Sequence, residues 1–409
     1  MAEKTNPIWP AVNHADARRL TPRSCAPRIK KNKLKIVVCP DSFKGCLSSE
    51  EAAECIREGL KRSILLSDIK VLPLADGGAG TARILGGGPG GKEIIKTVTN
   101  PAGKKIKAGY FIAFSASGKT AFIDIASSSG LAWLDKKDMK PLKTSTRGTG
   151  ALIKDALRRG CAQIFICLGD SATVDGGAGM LSALGVKFLD KNGNFIGDGG
   201  GALRNLKKTD SAELLKNING VKFIVLTDVT NPLLGPSGAA AVFAPQKGAQ
   251  PNEVALLEKA LSNYAGVIKK DTGKDISRLS GGGAAGGAGA GAAAFLDAEI
   301  KSGIESVSEY LKLEENISSC DVVITGEGRV DEQTFSGKTA GYVTKTAAEY
   351  GKTVVVFAGE IKENIKDSKN LCFIKITPFK MDREKAIKKA SVYLTRAARK
   401  LGDILGERF

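Results

Sequence analysis

The chain has 409 residues, 42% hydrophobic and 25% charged, with 61 Lys and Arg against 43 Asp and Glu for a net charge of +18. That length allows two domains with sizeable cores, and no run of 18 or more apolar residues is present to serve as a membrane span. The basic residues are scattered and aromatics make up only 6%, which argues against a nucleic-acid stacking platform and leaves the charge to solubility or an anionic ligand.

Residues 1–33 lack apolar periodicity, are rich in Pro, Asn and Arg, and contain no signal-peptide apolar region; they read as a disordered basic tail or an over-long start. Order is expected from Leu34, where a buried strand runs to Cys39 and Pro40 ends it. Ser48 or Ser49 then caps a helix whose first turn carries Glu50 and Glu51. A strand IKVLPLAD follows. Next come KEIIKTVTN, KKIKAGYFIAF and KTAFIDIA, the first two joined by an Asn100-Pro101-Ala102-Gly103 turn and therefore antiparallel. Ser145 to Arg159 has helical periodicity, followed by the strand QIFICLG, the strand VKFIVLTDV and the amphipathic helix NEVALLEKALSNYAGVIKK. The Gly/Ala segment GGGAAGGAGAGAAAFL suits a closely packed helix. DVVITGEG, KTVVVFAG and LCFIKI are strands, and a last helix starts at Asp382. Strands alternating with helices at both ends predict a parallel α/β sheet, with the hairpin-rich middle inserted as a second domain.

His14, in the tail, is the only histidine, so a Ser-His-Asp triad and a His-rich metal site are both disfavoured. The eight cysteines, Cys25, Cys39, Cys46, Cys55, Cys161, Cys167, Cys320 and Cys372, form no C-x-x-C pair and read as reduced residues of a cytoplasmic protein. Two G-x-G-x-x-G matches, at Gly86 and Gly281, follow no convincing strand, and the Gly-Lys-Thr triplets at Gly118, Gly337 and Gly351 lack the first glycine of a Walker loop.

The stronger signal is recurrence. Small, polar clusters stand where apolar strands end: PDSFKG, ADGGAGT, GDSATVDGG, TDVTNPLLGPSG and TGEGRVDEQTFSGK. Ligands of open α/β sheets bind outside the carboxyl ends of the strands. These loops bring Asp41, Lys44, Asp76, Asp175, Asp228, Glu327, Arg329 and Asp331, a set suited to magnesium-assisted phosphoryl transfer. Simpler readings stand beside it. Asp76 and Asp175 also suit helix N-caps, Lys44 a solvated loop, Arg329 and Asp331 a structural pair, and Ser171 and Thr173 ordinary turns.

In order and spacing these segments resemble the class I bacterial glycerate kinases. The likeness extends from about Lys33 to the C-terminus through KIVVCPDSFKGCLSSEEAA, PLADGGAGT, IDIASSSGLAWL, TSTRGTGALIKDALRRG, LGDSATVDGGAGMLSALG, DVTNPLLGPSGAAAVFAPQKGA, GGGAAGGAGAGAAAFL and VVITGEGRVDEQTFSGK. The resemblance implies a flavodoxin-like α/β domain (34–82 plus 285–409) with a second α/β domain (83–284) inserted, and an active site in the cleft between them. It implies ATP-dependent phosphorylation of D-glycerate, usually to 2-phosphoglycerate, with Mg²⁺. The cysteine usage and composition add the expectation of a cytoplasmic protein with no nucleic-acid or membrane partner, and a homodimer stays open. By the resemblance Asp175 is expected as the base, with Lys44 and Arg329 as charge stabilisers. Ser42, Gly77, Gly78, Gly169, Ser171, Thr173, Asn231 and Glu327 are expected around the nucleotide, and Asp76 and Asp228 near the metal. The chain departs from the family pattern at Ala79 (usually Glu), Asp170 (usually Gly), Val174 (usually Asn) and Ala340 (often Pro). Asp170 sets a carboxylate in a loop expected to meet phosphate. A weakly active relative that binds nucleotide or another hydroxy acid is therefore the second reading. An NAD oxidoreductase and a nucleic-acid module are the remaining two.

Overall fold

The computed structural model describes residues 33–64, 67–115, 118–335, 339–378 and 380–407. The tail expected over residues 1–33 thus lies outside the described residues except for Lys33, and His14 and Cys25 lie outside with it. Among the described residues the strands are, in chain order, β1 (Leu34–Val38), β2 (Ser67–Val71), β3 (Lys92–Thr99), β4 (Lys105–Ser115), β5 (Gly118–Asp124), β6 (Gln163–Cys167), β7 (Lys187–Leu189), β8 (Lys208–Asp210), β9 (Lys222–Leu226), β10 (Glu299–Lys301), β11 (Val322–Val330), β12 (Thr353–Ile361) and β13 (Leu371–Lys375). The chain divides into two compact units: Asp76–Ser306 is one, and the segments up to Ala75 and from Val307 onward together make the other.

The discontinuous unit holds a five-stranded sheet in the order β13-β12-β11-β1-β2, with every neighbour parallel. Numbered within the unit, that order is 2-1-3-4-5, the flavodoxin-like arrangement the resemblance implied. Every residue of β1 except Lys35 is buried, as expected of a strand covered on both faces. One face packs Ile36 and Val38 against Ile56 and Leu60 of the helix Ser49–Lys61 and Leu394 and Ala398 of the helix Ala390–Gly406. Ser48 is the cap of the first of these helices. Its hydroxyl accepts from Glu51 N, and the Glu51 carboxylate accepts from Ser48 N, a reciprocal box that typically contributes about 1 kcal/mol.

The continuous unit holds a six-stranded sheet, β10-β9-β6-β5-β4-β3, parallel from β10 to β5 and antiparallel from β5 to β3. The β3–β4 turn closes on Asn100, whose Oδ1 accepts from Ala102 N at 3.0 Å and Lys104 N at 2.9 Å. The two-stranded β7–β8 ribbon escaped the sequence reading, because three-residue strands are too short to show alternation. Ile123, Ile164, Ile166 and Val225 fill the core with Leu152, Leu261 and Tyr264.

The Gly/Ala segment is not one uninterrupted helix. Within Ala284–Phe295, Ala285, Gly286 and Gly287 have positive φ values of 51°, 68° and 94°, which break the helix before its regular part begins. The reason is a backbone-to-backbone approach. A Cβ at Gly286 would lie 2.0 Å from Thr173 O, and Gly286 O accepts from Gly176 N at 3.0 Å. Only glycine combines that conformation with so close a neighbour.

Candidate active site

In the discontinuous unit, the chain leaving β1 and the end of β11 meet. Asp41 N donates to Gly326 O at 2.9 Å, and a Cβ at Gly328 would lie 3.3 Å from Lys44 N. Two adjacent parallel strands whose connections diverge form a topological switch point, where α/β sheets bind ligands. The structure gathers Asp41, Ser42 and Lys44 there with Glu327, Arg329 and Asp331. Asp41 Oδ1 accepts from Ser42 N at 2.6 Å. Glu327 is buried, whereas Lys44 is exposed and the Arg329 side chain is 52% exposed. Arg329 Nε stands 3.7 Å from Asp331 Oδ2 and 4.0 Å from Glu360 Oε1, distances of loose pairing that leave the guanidinium largely in solvent.

In the continuous unit, the loop from Asp76 runs against the loop after β6. Gly169 N donates to Gly77 O at 3.0 Å, and a Cβ on Gly169 would fall 2.3 Å from Gly78 Cα. Asp76 Oδ1 accepts from Gly78 N at 3.1 Å. Asp170 is exposed and left-handed, with φ 59°, a conformation Asp tolerates. Its Oδ2 accepts from Ala79 N at 3.3 Å, so two of the departures from the family pattern touch each other. Asp228 Oδ1 accepts from Ser302 Oγ at 2.8 Å and Gly303 N at 2.7 Å, and its Oδ2 from Ile304 N at 3.1 Å. It thereby caps the start of the helix Gly303–Tyr310. Burial pushes Asp228 up to about 6, with those bonds opposing and the charge of Asp76 adding to the rise.

Asp124, at the end of β5, was missed in the sequence. It accepts from Gly80 N and Ala82 N, each at 2.9 Å, and burial pushes it up to about 6 against those two bonds. It caps the short helix Thr81–Gly86. Asn231 uses its amide on its own turn, Nδ2 donating to Ser237 O at 2.8 Å.

Asp175 is enclosed. It is 0% exposed, and its Oδ2 accepts from Thr146 N at 2.9 Å, Thr146 Oγ1 at 2.8 Å and Gly179 N at 3.2 Å, while Oδ1 accepts from Gly177 N at 3.2 Å. Burial raises its pKa and these donors hold it down. The carboxylate ties the 169–177 loop to the starts of the helices Arg147–Arg158 and Ala178–Leu184. Beside it lies Lys247, also missed in the sequence. Lys247 is 3% exposed, and its Nζ donates to Ser171 Oγ at 2.7 Å and to Thr173 O at 2.8 Å. Burial pushes the ammonium down to about 7, and the charge of Asp175 opposes that fall. Thr173 Oγ1 is buried with no hydrogen-bond partner. A lysine in a Pro-Gln-Lys-Gly turn reads as solvated; its only signal was its place inside one of the ordered motifs.

Among the described residues no group of three or more His, Cys, Asp or Glu is placed to hold a metal ion, and no helix is long and apolar enough to cross a membrane. The seven described cysteines are free thiols.

A family model described as the glycerate kinase family matches residues 36–406. The chain is 45% identical over 332 residues to glycerate 2-kinase of Escherichia coli K12, covering 81% of this chain and 87% of that one. It is 41% identical over 372 residues to glycerate kinase of Bacillus subtilis 168, covering 90% and 96%. A crystal structure from Salmonella typhimurium LT2, provisionally named glycerate kinase 2, superposes with a TM-score of 0.78 at 40% identity, covering 92% of this chain and 99% of that one. With the match spanning nearly every described residue, the chain belongs to the glycerate kinase family and is an enzyme of that family.

Proposed function

We propose that this enzyme transfers the γ-phosphoryl group of ATP to the 2-hydroxyl of D-glycerate, giving 2-phosphoglycerate, and that it does so in the cytoplasm. The observation that carries the reading is the switch-point cluster. Lys44 and Arg329 stand at the carboxyl ends of neighbouring parallel strands, with their charges open to a ligand in a family of glycerate kinases. Phosphoryl transfer is governed by positioning and by charge stabilisation, which these two cations supply.

The residues present fit Mg²⁺, a hard cation that needs only one or two carboxylates because substrate phosphates and water complete its shell. Asp76 and Asp228 would hold it. They feel each other's charge, and Asp76 has one oxygen beyond the one that takes Gly78 N. When bound, the ion neutralises phosphate charge. Gly77, Gly78 and Gly169 let the two loops close backbone to backbone beside the nucleotide, and Ser171 and Thr173 bring hydroxyls to the same loop. Ser42 and Glu327 accompany the switch-point cations. Asn231 supports the turn after Asp228.

The base role read for Asp175 moves elsewhere in this proposal. A carboxylate with no exposed surface and four donors is a clamp, and the proton acceptor is sought at Asp41, which is partly exposed. The test is coupled detection of ADP over a panel of small hydroxy acids. D-glycerate should be the best acceptor; no ADP above background from folded protein would overturn the reading.

A further inference from the structure

We infer that Lys247 is a positioning residue of this enzyme, acting on the bound nucleotide through the hydroxyl of Ser171. The inference rests on the proposed function, because it takes the 169–177 loop as the one that meets phosphate.

The geometry is that of a buried cation laid under a loop. Lys247 closes the short turn Pro245–Lys247, and its side chain is enclosed. Its Nζ meets two oxygens of one loop, Ser171 Oγ at 2.7 Å and Thr173 O at 2.8 Å. Burying an ammonium is unfavourable by several kcal/mol unless it is well paired, and an apolar side chain of the same length would fill the space with less cost. Simple packing therefore does not account for a lysine here. Burial also draws the group down to about 7, so that it is only partly charged near neutrality.

The direction of the hydrogen bonds gives the function. A serine hydroxyl has one hydrogen to donate and two lone pairs to accept with. When Nζ donates to Ser171 Oγ, one lone pair is taken and the hydroxyl hydrogen is left for an acceptor outside the pair. A phosphate oxygen is such an acceptor. Loss of the amine would free the Ser171 hydroxyl to turn its hydrogen inward, for example onto Thr173 O, which Lys247 now occupies. The buried, unpartnered Thr173 Oγ1 is a second sign that this loop's polar groups are not all satisfied from within.

The test is a double-mutant cycle with Lys247→Met and Ser171→Ala, read as the calorimetric Kd for Mg-ATP, the kcat and KM with D-glycerate, and the melting temperature. The expected result is about tenfold weaker ATP binding or tenfold lower kcat/KM for ATP in each single variant, with KM for glycerate changing little. The melting temperature of Lys247→Met should hold or rise. The double variant should be no more than about threefold worse than the poorer single one, since the two residues act as a unit. Wild-type affinity and turnover in Lys247→Met, or fully additive losses, would overturn the proposal. If Lys247→Met does not fold, Lys247→Gln enters the same cycle, and failure of both to fold would make Lys247 a structural clamp and refute a positioning role. The Kd is measured without turnover. Wild-type protein that binds ATP but phosphorylates nothing would therefore refute the glycerate reading while the cycle still decides for Lys247, and wild-type protein that binds no ATP would sink both.

Discussion

The switch-point loops of the discontinuous unit and the 169–177 loop of the continuous unit both carry family motifs, yet they are built in opposite ways. At the switch point Lys44 is exposed and Arg329 is largely in solvent, with ion pairs of only 3.7 and 4.0 Å. In the 169–177 loop Ser171, Thr173 and Asp175 are buried, and Asp175 and Lys247 are bound to fixed partners. Charged groups that meet a ligand need open surface and tolerate loose pairing, whereas a loop that must keep one backbone conformation invests buried polar groups in holding it. Substitutions in the first region should alter turnover and spare stability; in the second, removing the Asp175 carboxylate should cost stability first.

Asp175→Ala should give the largest effect. It leaves Thr146 N, Gly177 N and Gly179 N without their acceptor and should lower unfolding stability by about 3–5 kcal/mol. Urea denaturation measures it. A loss below about 1 kcal/mol, with turnover abolished, would return Asp175 to the role of base.

Lys247 sharpens the comparison through pH. An unfolded lysine titrates near its usual value of 10.5, whereas the buried one titrates near 7. Between these values the unfolded state holds more protons, so this group's contribution to stability rises with pH across the window. The stability difference between wild type and Lys247→Met should therefore shift in favour of wild type by up to about 3 kcal/mol between pH 7 and pH 9.5. Urea titrations of both proteins at the two pH values test it, and a constant difference would mean that the ammonium is solvated.

At the open region, Lys44→Ala should lower kcat/KM for ATP or glycerate by roughly 10- to 100-fold, about 1.4–2.7 kcal/mol of barrier. Its melting temperature should stay within about 1 °C of wild type, since exposed substitutions rarely change stability by more than about 0.5 kcal/mol. A folded variant with unchanged kinetics would remove Lys44 from the site.

What the sequence showed and what it hid divide along the same line. The five-stranded sheet was legible because β1, β11, β12 and β13 carry apolar stretches, and the Ser48 cap because its partner is three residues away. The open cations were legible because they stand in polar loops immediately after strands. Lys247 was not, because its hydroxyl partner is 76 positions away, and Asp124 was not, because it reaches Gly80 across 44. A polar residue whose partner arrives through the tertiary fold looks in sequence like any solvated residue. The break at Ala285–Gly287 was hidden for the same reason. Gly and Ala read as a close-packed helix, and only the approach of Thr173 O requires the left-handed backbone there.

The central claim is the chemistry of the open cluster. It is tested most directly by incubating the protein with ATP, Mg²⁺ and D-glycerate and identifying the phosphorylated product by phosphorus and proton NMR. The account predicts ADP and 2-phosphoglycerate in equal amounts. Production of 3-phosphoglycerate, or of no phosphorylated glycerate at all from folded protein, would contradict it.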